Sequence, residues 1–367
     1  MKQIERHLIE KLIEAEDVST LSLSDLRGLI RQEQGMKRAL PDGRYQIDPR
    51  NFDLVLFVTT RVQRPQDTLP VAGPDPQASL TCPICRGETT GIIDVAQLSQ
   101  GLTFINKNLF PVFYPFDQQE VEELHGRNGQ TAGPAAMEVG GLHFLQWTSS
   151  QHEVDWHNLP AADGVVVMSR MAALERALLE PEKATGPRYV VINKNFGRLV
   201  GSSLVHGHQQ IALINVMPRR FADNARFAAQ RGETFSAFML RENPPNLIVR
   251  DYGPAVLVVP YFMRRPYDMM LIVKDVSQQH LHQLTEEEIT AVAAGWGDAI
   301  KAIMAIMPKH GREIAYNVIG NNGPGAGLYF EFLPYTQESG SFEHLGLVVS
   351  EADPGIVAEE LRRTINN

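Results

Sequence analysis

Residues 189–216 constrain the possible fold and function of this chain more than any other segment does. This segment reads YVVINKNFGRLVGSSLVHGHQQIALINV, and from Leu204 onward its pattern predicts a β-strand. Side chains alternate faces along a strand, so His206, His208 and Gln210 would share one face. Two imidazoles and an amide make a poor core face, because each buried polar group needs its own partner. We therefore interpret this face as a functional site.

The residue types at this site favour chemistry at phosphorus. Imidazole attacks phosphorus and leaves again, so His208 is the candidate nucleophile. Gln210 can donate a hydrogen bond to a phosphate oxygen as charge develops. The preceding loop holds Asn195, Gly201 and Ser203, and its glycines allow the backbone to approach phosphate closely. The alternative is a half-exposed strand with incidental histidines.

A second motif predicts a metal site. Cys82 and Cys85 form a C-x2-C pair on a loop, a spacing common in tetrahedral zinc sites. A redox pair favours a helix N-terminus after a strand, which the proline-rich approach to Cys82 does not resemble. His206 and His152 complete the predicted set, and His157 is the competing third ligand. Four protein ligands leave no open position, so we expect one structural zinc ion per chain.

Candidate substrate contacts lie on two other segments. Arg61 and Arg64 directly follow a predicted strand, and guanidinium groups suit bidentate contacts with phosphate. A solvated basic turn is the alternative. Phe104 and Asn106 offer a ring surface and an amide for a base or ribose, although a buried phenylalanine is usually part of a core.

Composition narrows the class of protein. Of the 367 residues, 43% are hydrophobic and 21% charged, as in ordinary soluble globular proteins. The net charge of −9 gives no indication of nucleic-acid or membrane binding. No apolar run suggests a membrane span, and the charged N-terminal segment does not resemble a signal peptide. With two cysteines and no disulfide framework, we expect a cytoplasmic protein.

The order of elements predicts a doubled α+β unit. Both halves show strands, a long helix, a strand, a loop rich in Asn and Gly, and an alternating strand. We predict a helical extension over residues 1–44, a half with the zinc and active sites over 45–220, and a degenerate half over 221–367. Helices are predicted over residues 2–16, 23–34, 168–180, 286–306 and 355–365, with capping boxes at Ser22/Asp25 and Thr285/Glu288.

Several motifs together resemble the galactose-1-phosphate uridylyltransferase family of the histidine-triad superfamily. HGHQQ resembles its H-P-H-G-Q active-site motif, and CPICRGE its C-P-x-C zinc pair. The other matching segments, in the family's order, are DPRNFDLVLFVTTRVQRP, TFINKNLFPVF, NFGRLVGSSLVHGHQQI and AVLVVPYFMRRPYDMMLIVK. The resemblance covers about residues 45–350. It implies an α+β fold of two histidine-triad-like halves, with mostly antiparallel sheet flanked by helices, and a homodimer with active sites near the subunit interface.

The resemblance also implies residue roles. His208 would be the nucleotidylated nucleophile and Gln210 its phosphate-orienting partner. Zinc would be held by Cys82, Cys85, His152 and His206. Phosphate and nucleotide would be contacted by Arg61, Arg64, Asn106, Asn195, Gly201 and Ser203. We expect a nucleotidylyltransferase that moves a nucleoside monophosphate from a nucleotide sugar to a phosphate-bearing acceptor. The alternatives are a phosphorylase of a nucleotide sugar or dinucleoside polyphosphate, and a non-catalytic nucleotide sensor.

The chain departs from the family pattern at several positions. Gly207 stands in place of the motif's Pro and Gln209 in place of its Gly. Lys107 occupies the position of an Asp that contacts the ribose in the family. Tyr329 and Glu331 replace the paired histidines of the family's second metal site, so we expect no second metal.

Overall fold

An antiparallel sheet of ten strands spans both halves of the chain. The computed structural model describes residues 3–63, 82–121, 123, 137–180 and 186–366. In their order across the sheet, the strands are β3 (Ile92–Gln97), β4 (Leu102–Lys107), β6 (Gly141–Trp147), β8 (His208–Ile214), β7 (Tyr189–Phe196), β12 (Tyr316–Asn321), β13 (Tyr329–Pro334), β11 (Met269–Val273), β10 (Ala255–Val258) and β9 (Ile248–Asp251).

The two halves meet at one seam of this sheet. Strand β7 pairs with β12, with Tyr316 opposite Phe196, and the aromatic rings of these two residues stack 5.2 Å apart. Five strands from residues 92–214 lie on one side of the seam, and five from residues 248–334 lie on the other in mirrored order. The predicted α+β class with mostly antiparallel sheet is confirmed. The boundaries at 44/45 and 220/221 stay predictions, and the second falls inside the helix Arg219–Arg231.

Helices pack against the sheet. In the described residues they are Arg6–Leu12, Leu23–Gln32, Ala161–Leu179, Arg219–Arg231, Phe235–Glu242, Glu286–Lys309, Ser341–His344 and Pro354–Asn366. The two longest, Ala161–Leu179 and Glu286–Lys309, contact each other and the sheet. Both predicted capping boxes are confirmed, with Ser22 bonded to Asp25 and Thr285 to Glu288.

The helix Glu286–Lys309 is long and apolar enough to cross a membrane by length and composition alone. The expectation that no segment has this property was therefore wrong. The physical reason for its apolarity is visible in the fold, since 61% of its most apolar window is buried inside the protein. Trp296, on this helix, packs edge-on against Phe330 and Phe332 of β13. These contacts are those of a core helix.

The strand predicted before Arg61 is present but does not belong to the ten-stranded sheet. It forms β2 (Leu54–Phe57), which pairs with β1 (Arg44–Ile47) in a separate three-stranded sheet completed by β5 (Met137–Glu138). Val55 and Phe57 are exposed, so this small sheet has little core of its own. The apolar pattern of a strand does not by itself specify the partner that covers it.

The N-terminal extension is tied to the main sheet by buried charge. Lys107 at the end of β4 is 1% exposed, and its ammonium lies 2.6 Å from a Glu14 carboxylate oxygen and 2.9 Å from one of Glu33. Arg170 joins the extension in the same way, because its guanidinium contacts both Asp17 and Asp94 of β3. The Lys107 side chain therefore points into the extension.

We expect Lys107→Met to destabilise the protein by about 2–4 kcal/mol, because it leaves the carboxylates of Glu14 and Glu33 without their cation. The measurement is the free energy of unfolding from denaturant titration. Lys301→Met is the matched control, since Lys301 is exposed on the helix Glu286–Lys309, and should change stability by about 0.5 kcal/mol or less. Equal effects of the two substitutions would contradict a structural role for Lys107.

Candidate functional site

The paired histidines lie at the start of β8, and one of them precedes the strand. The strand begins at His208, whereas His206 and Gly207 lie in the turn before it. The prediction of a strand from Leu204 was therefore wrong at its beginning. The turn packs closely on another segment: a side chain at Gly207 would collide with Asp155, because an added Cβ would lie 2.4 Å from the Asp155 Cγ. This close approach requires glycine.

Four residues from distant parts of the chain converge in a Cys/His cluster. Cys82, Cys85, His152 and His206 each offer one ligand atom, and these atoms all lie within 4.8 Å of one another. The Sγ of Cys85 lies 3.5 Å from the His152 Nδ1 and 3.6 Å from the His206 Nδ1. The Sγ of Cys82 lies 3.7 Å from the His206 Nδ1. Among the described residues, this group alone has the composition and spacing of a metal site.

These distances fit a tetrahedral metal ion. With bonds of about 2.3 Å to sulfur and about 2.1 Å to nitrogen, such an ion holds sulfur and nitrogen about 3.6 Å apart. The orientation of His206 also fits, because its other nitrogen, Nε2, donates to the carbonyl of Ser149 at 2.8 Å. Metal-binding histidines are commonly held in this way, with the free N–H on a carbonyl. The cluster takes in His152 and not the competing His157.

His208 has a defined tautomer. Its Nδ1 lies 2.8 Å from the carbonyl oxygen of His206 and donates to it, so the neutral ring keeps its lone pair on Nε2. Burial lowers the pKa of His208 to about 4. Near neutral pH the ring is therefore uncharged, and Nε2 is available for attack on phosphorus.

A buried ion pair, which the sequence analysis did not predict, holds the backbone of His208. Lys194 on β7 and Asp155 are both buried, with Nζ 2.7 Å from a carboxylate oxygen. The same ammonium donates to the carbonyl of His208 at 3.2 Å. Asp155 also accepts from the Thr148 hydroxyl at 2.8 Å. The sequence feature that could have indicated this pair is Lys194, a charged residue that follows the apolar residues of β7.

Gln210, one strand repeat beyond His208, is held by a second missed residue. Its Oε1 lies 3.1 Å from the Nε2 of His143 on β6. His143 is buried, and its signal in the sequence was a single histidine in the apolar strand GLHFLQW.

A pocket opens over His208 and Gln210. Of the predicted substrate contacts, it brings together Arg61, Gly201 and Ser203. Polar groups are added by Glu88, Thr89, Asn108 and Ser202. The apolar surface comes from Pro83, Ile84, Leu109, Phe110, Leu145, Trp147 and Leu204. A mostly apolar cleft with a few convergent polar groups is the usual form of a small-molecule site.

Three predicted contacts do not line this pocket. Phe104 is fully buried and packs against Trp147, with ring centroids 6.3 Å apart. Asn106 is also buried, and it accepts from the Trp147 indole N–H at 2.7 Å while donating to Thr90 at 2.8 Å. Asn195 accepts from the Asn317 amide at 2.8 Å. Phe104 and Asn106 are covered by the protein, whereas Asn195 is partly buried on β7; contact of these three residues with a substrate stays a prediction. Arg64 lies outside the described residues.

The equivalent positions of the second half have different chemistry. Glu331 on β13 accepts from the guanidinium of Arg220 at 2.6 Å and from the amide of Asn321 at 2.9 Å. Tyr329 donates to Asn224 at 3.1 Å. Both side chains are therefore engaged in a hydrogen-bond network within their own half.

Comparisons with known proteins agree with this architecture. The chain is 21% identical over 331 residues to ADP-glucose phosphorylase of Arabidopsis thaliana, covering 86% of this chain and 91% of that protein. No protein-family model matches the chain.

Solved structures show the same fold. A structure of uridylyltransferase has a TM-score of 0.66 at 18% identity, covering 88% of this chain and 98% of that one. ADP-glucose phosphorylase from Arabidopsis thaliana with bound ADP-glucose gives 0.60 at 16% identity, with coverages of 87% and 98%. A GalT-like protein from Arabidopsis thaliana also gives 0.60, at 17% identity, with coverages of 77% and 91%. The resemblance to uridylyltransferase-like proteins is confirmed.

We expect His152→Ala to lose the bound metal and His157→Ala to keep it, because only His152 reaches the cluster. The measurement is metal content per chain by mass spectrometry of purified protein. Cys82→Ser should lose metal and thermal stability together, since a structural metal contributes to the free energy of folding. Full metal content in a Cys82→Ser, Cys85→Ser double variant would refute the site.

Proposed function

We propose that this protein is a nucleotidyltransferase that works through a covalent nucleotidyl-histidine on His208. The observation that carries the proposal is the His208 ring, whose Nδ1–H is held by the carbonyl of His206 so that Nε2 is unprotonated. A buried, neutral, oriented imidazole at the floor of an open pocket has the properties of a nucleophile.

The proposed reaction has two steps. In the first, His208 Nε2 attacks the α-phosphorus of a nucleotide sugar, an N–P bond forms, and the P–O bond to the leaving group breaks. The leaving group departs as a sugar phosphate. In the second, an oxygen of a phosphate-bearing acceptor attacks the same phosphorus, the N–P bond breaks, and the imidazole returns to its neutral form.

Residues around the pocket would stabilise the transferring group. Gln210 would donate through its amide to a non-bridging oxygen, where negative charge builds up. The guanidinium of Arg61 and the backbone and hydroxyl of Ser203 would contact the phosphates, and Gly201 would let the loop approach them. Arg61, Ser203 and Gln210 all line the same pocket as His208.

We propose zinc as the metal of the Cys/His cluster, because two thiolates and two imidazoles in tetrahedral spacing suit this ion. With four protein ligands it would have no open position and would act structurally. Cys82, Cys85 and His152 would anchor His206, whose carbonyl holds the His208 ring.

Two acceptor classes remain candidates. Hexose 1-phosphate would make the protein a hexose-1-phosphate uridylyltransferase-like enzyme. Inorganic phosphate would make it a nucleotide-sugar phosphorylase, and the chain-wide similarity to ADP-glucose phosphorylase favours this second candidate. A soluble cytoplasmic homodimer remains part of the proposal.

We expect the protein mixed with UDP-glucose or ADP-glucose, without acceptor, to gain the mass of one nucleoside monophosphate on the peptide that contains His208. The adduct should be acid-labile, because an N–P bond links it. Intact-protein and peptide mass spectrometry provide the measurement. His208→Ala should form no adduct yet keep its metal, and Gln210→Ala should react on the order of 10²–10³ times more slowly.

His7→Ala is the control, because His7 is exposed on the N-terminal helix and should react like the wild type. A protein that binds these nucleotides without forming any adduct would be a sensor, and the double-displacement mechanism would be wrong.

We expect the isolated nucleotidyl-enzyme to be discharged faster by a phosphate acceptor than by water. Inorganic phosphate would release a nucleoside diphosphate, and glucose 1-phosphate or galactose 1-phosphate would release a nucleotide sugar. Chromatography of the released nucleotide identifies the acceptor. Discharge by water alone, with a nucleoside monophosphate as the product, would contradict a transferase.

A further inference from the structure

His143 is a buried histidine beside the pocket whose hydrogen bonds define its protonation. It lies on β6, is 3% exposed, and its Nδ1 accepts from the backbone N–H of Val112 at 3.0 Å. A backbone N–H can only donate, so Nδ1 carries no proton. The single proton of the neutral ring therefore resides on Nε2.

Within the part of the chain that the structure describes, the Nε2–H of His143 has one acceptor within reach. The side-chain oxygen of Gln210 lies 3.1 Å away. The Asn108 amide nitrogen lies 3.2 Å from the same ring nitrogen, but a protonated ring nitrogen offers it no lone pair, so we assign no hydrogen bond there. Burial, with the nearby charge of Arg61, lowers the pKa of His143 to about 3. The ring thus stays neutral at physiological pH.

This hydrogen bond determines which end of the Gln210 amide faces the pocket over His208. The two ends of a glutamine amide have nearly the same size, so shape alone selects neither orientation. With its oxygen bound to His143, Gln210 turns its NH₂ group elsewhere, and Gln210 lines the pocket beside His208. The reversed amide would present an oxygen to the phosphate oxygens, and the two would repel each other.

We propose that His143 is a positioning residue that locks the amide of Gln210 with its N–H groups toward the transferring phosphoryl group. The proposal rests on the proposed function, in which Gln210 donates to that group. Strand register supports it: Leu145 pairs with Gln210 and His143 with Ala212 across β6 and β8, so His143 lies diagonally from Gln210.

The test is a double-mutant cycle on the rate of nucleotidylation of His208 in a single turnover with ADP-glucose or UDP-glucose. His143→Leu removes the Nε2–H and should slow the wild type by about tenfold or more, with little change in donor KM. In the Gln210→Ala background the same substitution should change the rate by about twofold or less, because its target is gone. Equal slowing in both backgrounds would indicate a merely structural histidine and overturn the proposal.

His143→Gln provides the conservative variant, because its amide nitrogen can reach the position of the imidazole Nε2. It should recover most of the rate lost in His143→Leu. If His143→Leu fails to fold, a wild-type rate in a folded His143→Phe or His143→Ala variant would overturn the proposal, and slowing confined to variants that keep Gln210 would support it.

A spectroscopic readout is independent of activity. Long-range ¹H–¹⁵N correlation of labelled histidines should show His143 as the Nε2–H tautomer, unchanged between about pH 5 and 8. An Nδ1–H tautomer or a protonated ring would overturn the proposal. If no adduct forms on His208 with any donor, the proposed function fails, whereas the tautomer still reports whether His143 holds Gln210.

Discussion

His206 makes three contacts on which the site depends. Its Nδ1 faces both cysteines of the cluster, its Nε2 donates to the carbonyl of Ser149, and its own carbonyl accepts from the His208 ring. The cluster therefore holds the turn before β8, and that turn holds the His208 ring. A metal ion bound by the cluster would in this way fix the tautomer of a residue that it does not touch.

A buried ion pair provides a second support for the backbone at His208. Lys194 lies fully inside the protein, bound to Asp155 and to the carbonyl of His208. Removing one member of such a pair leaves an uncompensated charge in a low-dielectric interior, which is costly. Asp155 also limits position 207 to glycine, because an added Cβ there would collide with the Asp155 side chain. The β8 backbone at His208 is thus held by Lys194 from within the sheet and by the cluster at its end.

The two halves of the doubled sheet differ in the side chains at corresponding strands. Strand β13 occupies the place that corresponds to β8 across the seam, but Glu331 there binds Arg220 and Asn321. The fold repeats because the repeated pattern of apolar residues buries the same faces in both halves. The side chains do not repeat, because Tyr329 and Glu331 take part in a hydrogen-bond network with Asn224, Arg220 and Asn321.

Local spacing in the sequence determined the C-x2-C pair, the H-x-H-x-Q run, the capping boxes and the doubled α+β layout, since each depends on residues close together in the chain. Tertiary structure alone selected His152 over His157, brought His143 to Gln210 across a strand pair, and covered Phe104 and Asn106 with neighbouring strands. These outcomes depend on strand register and on contacts between segments dozens of residues apart. Periodicity shows which face a side chain occupies, but only the folded chain shows what lies opposite that face.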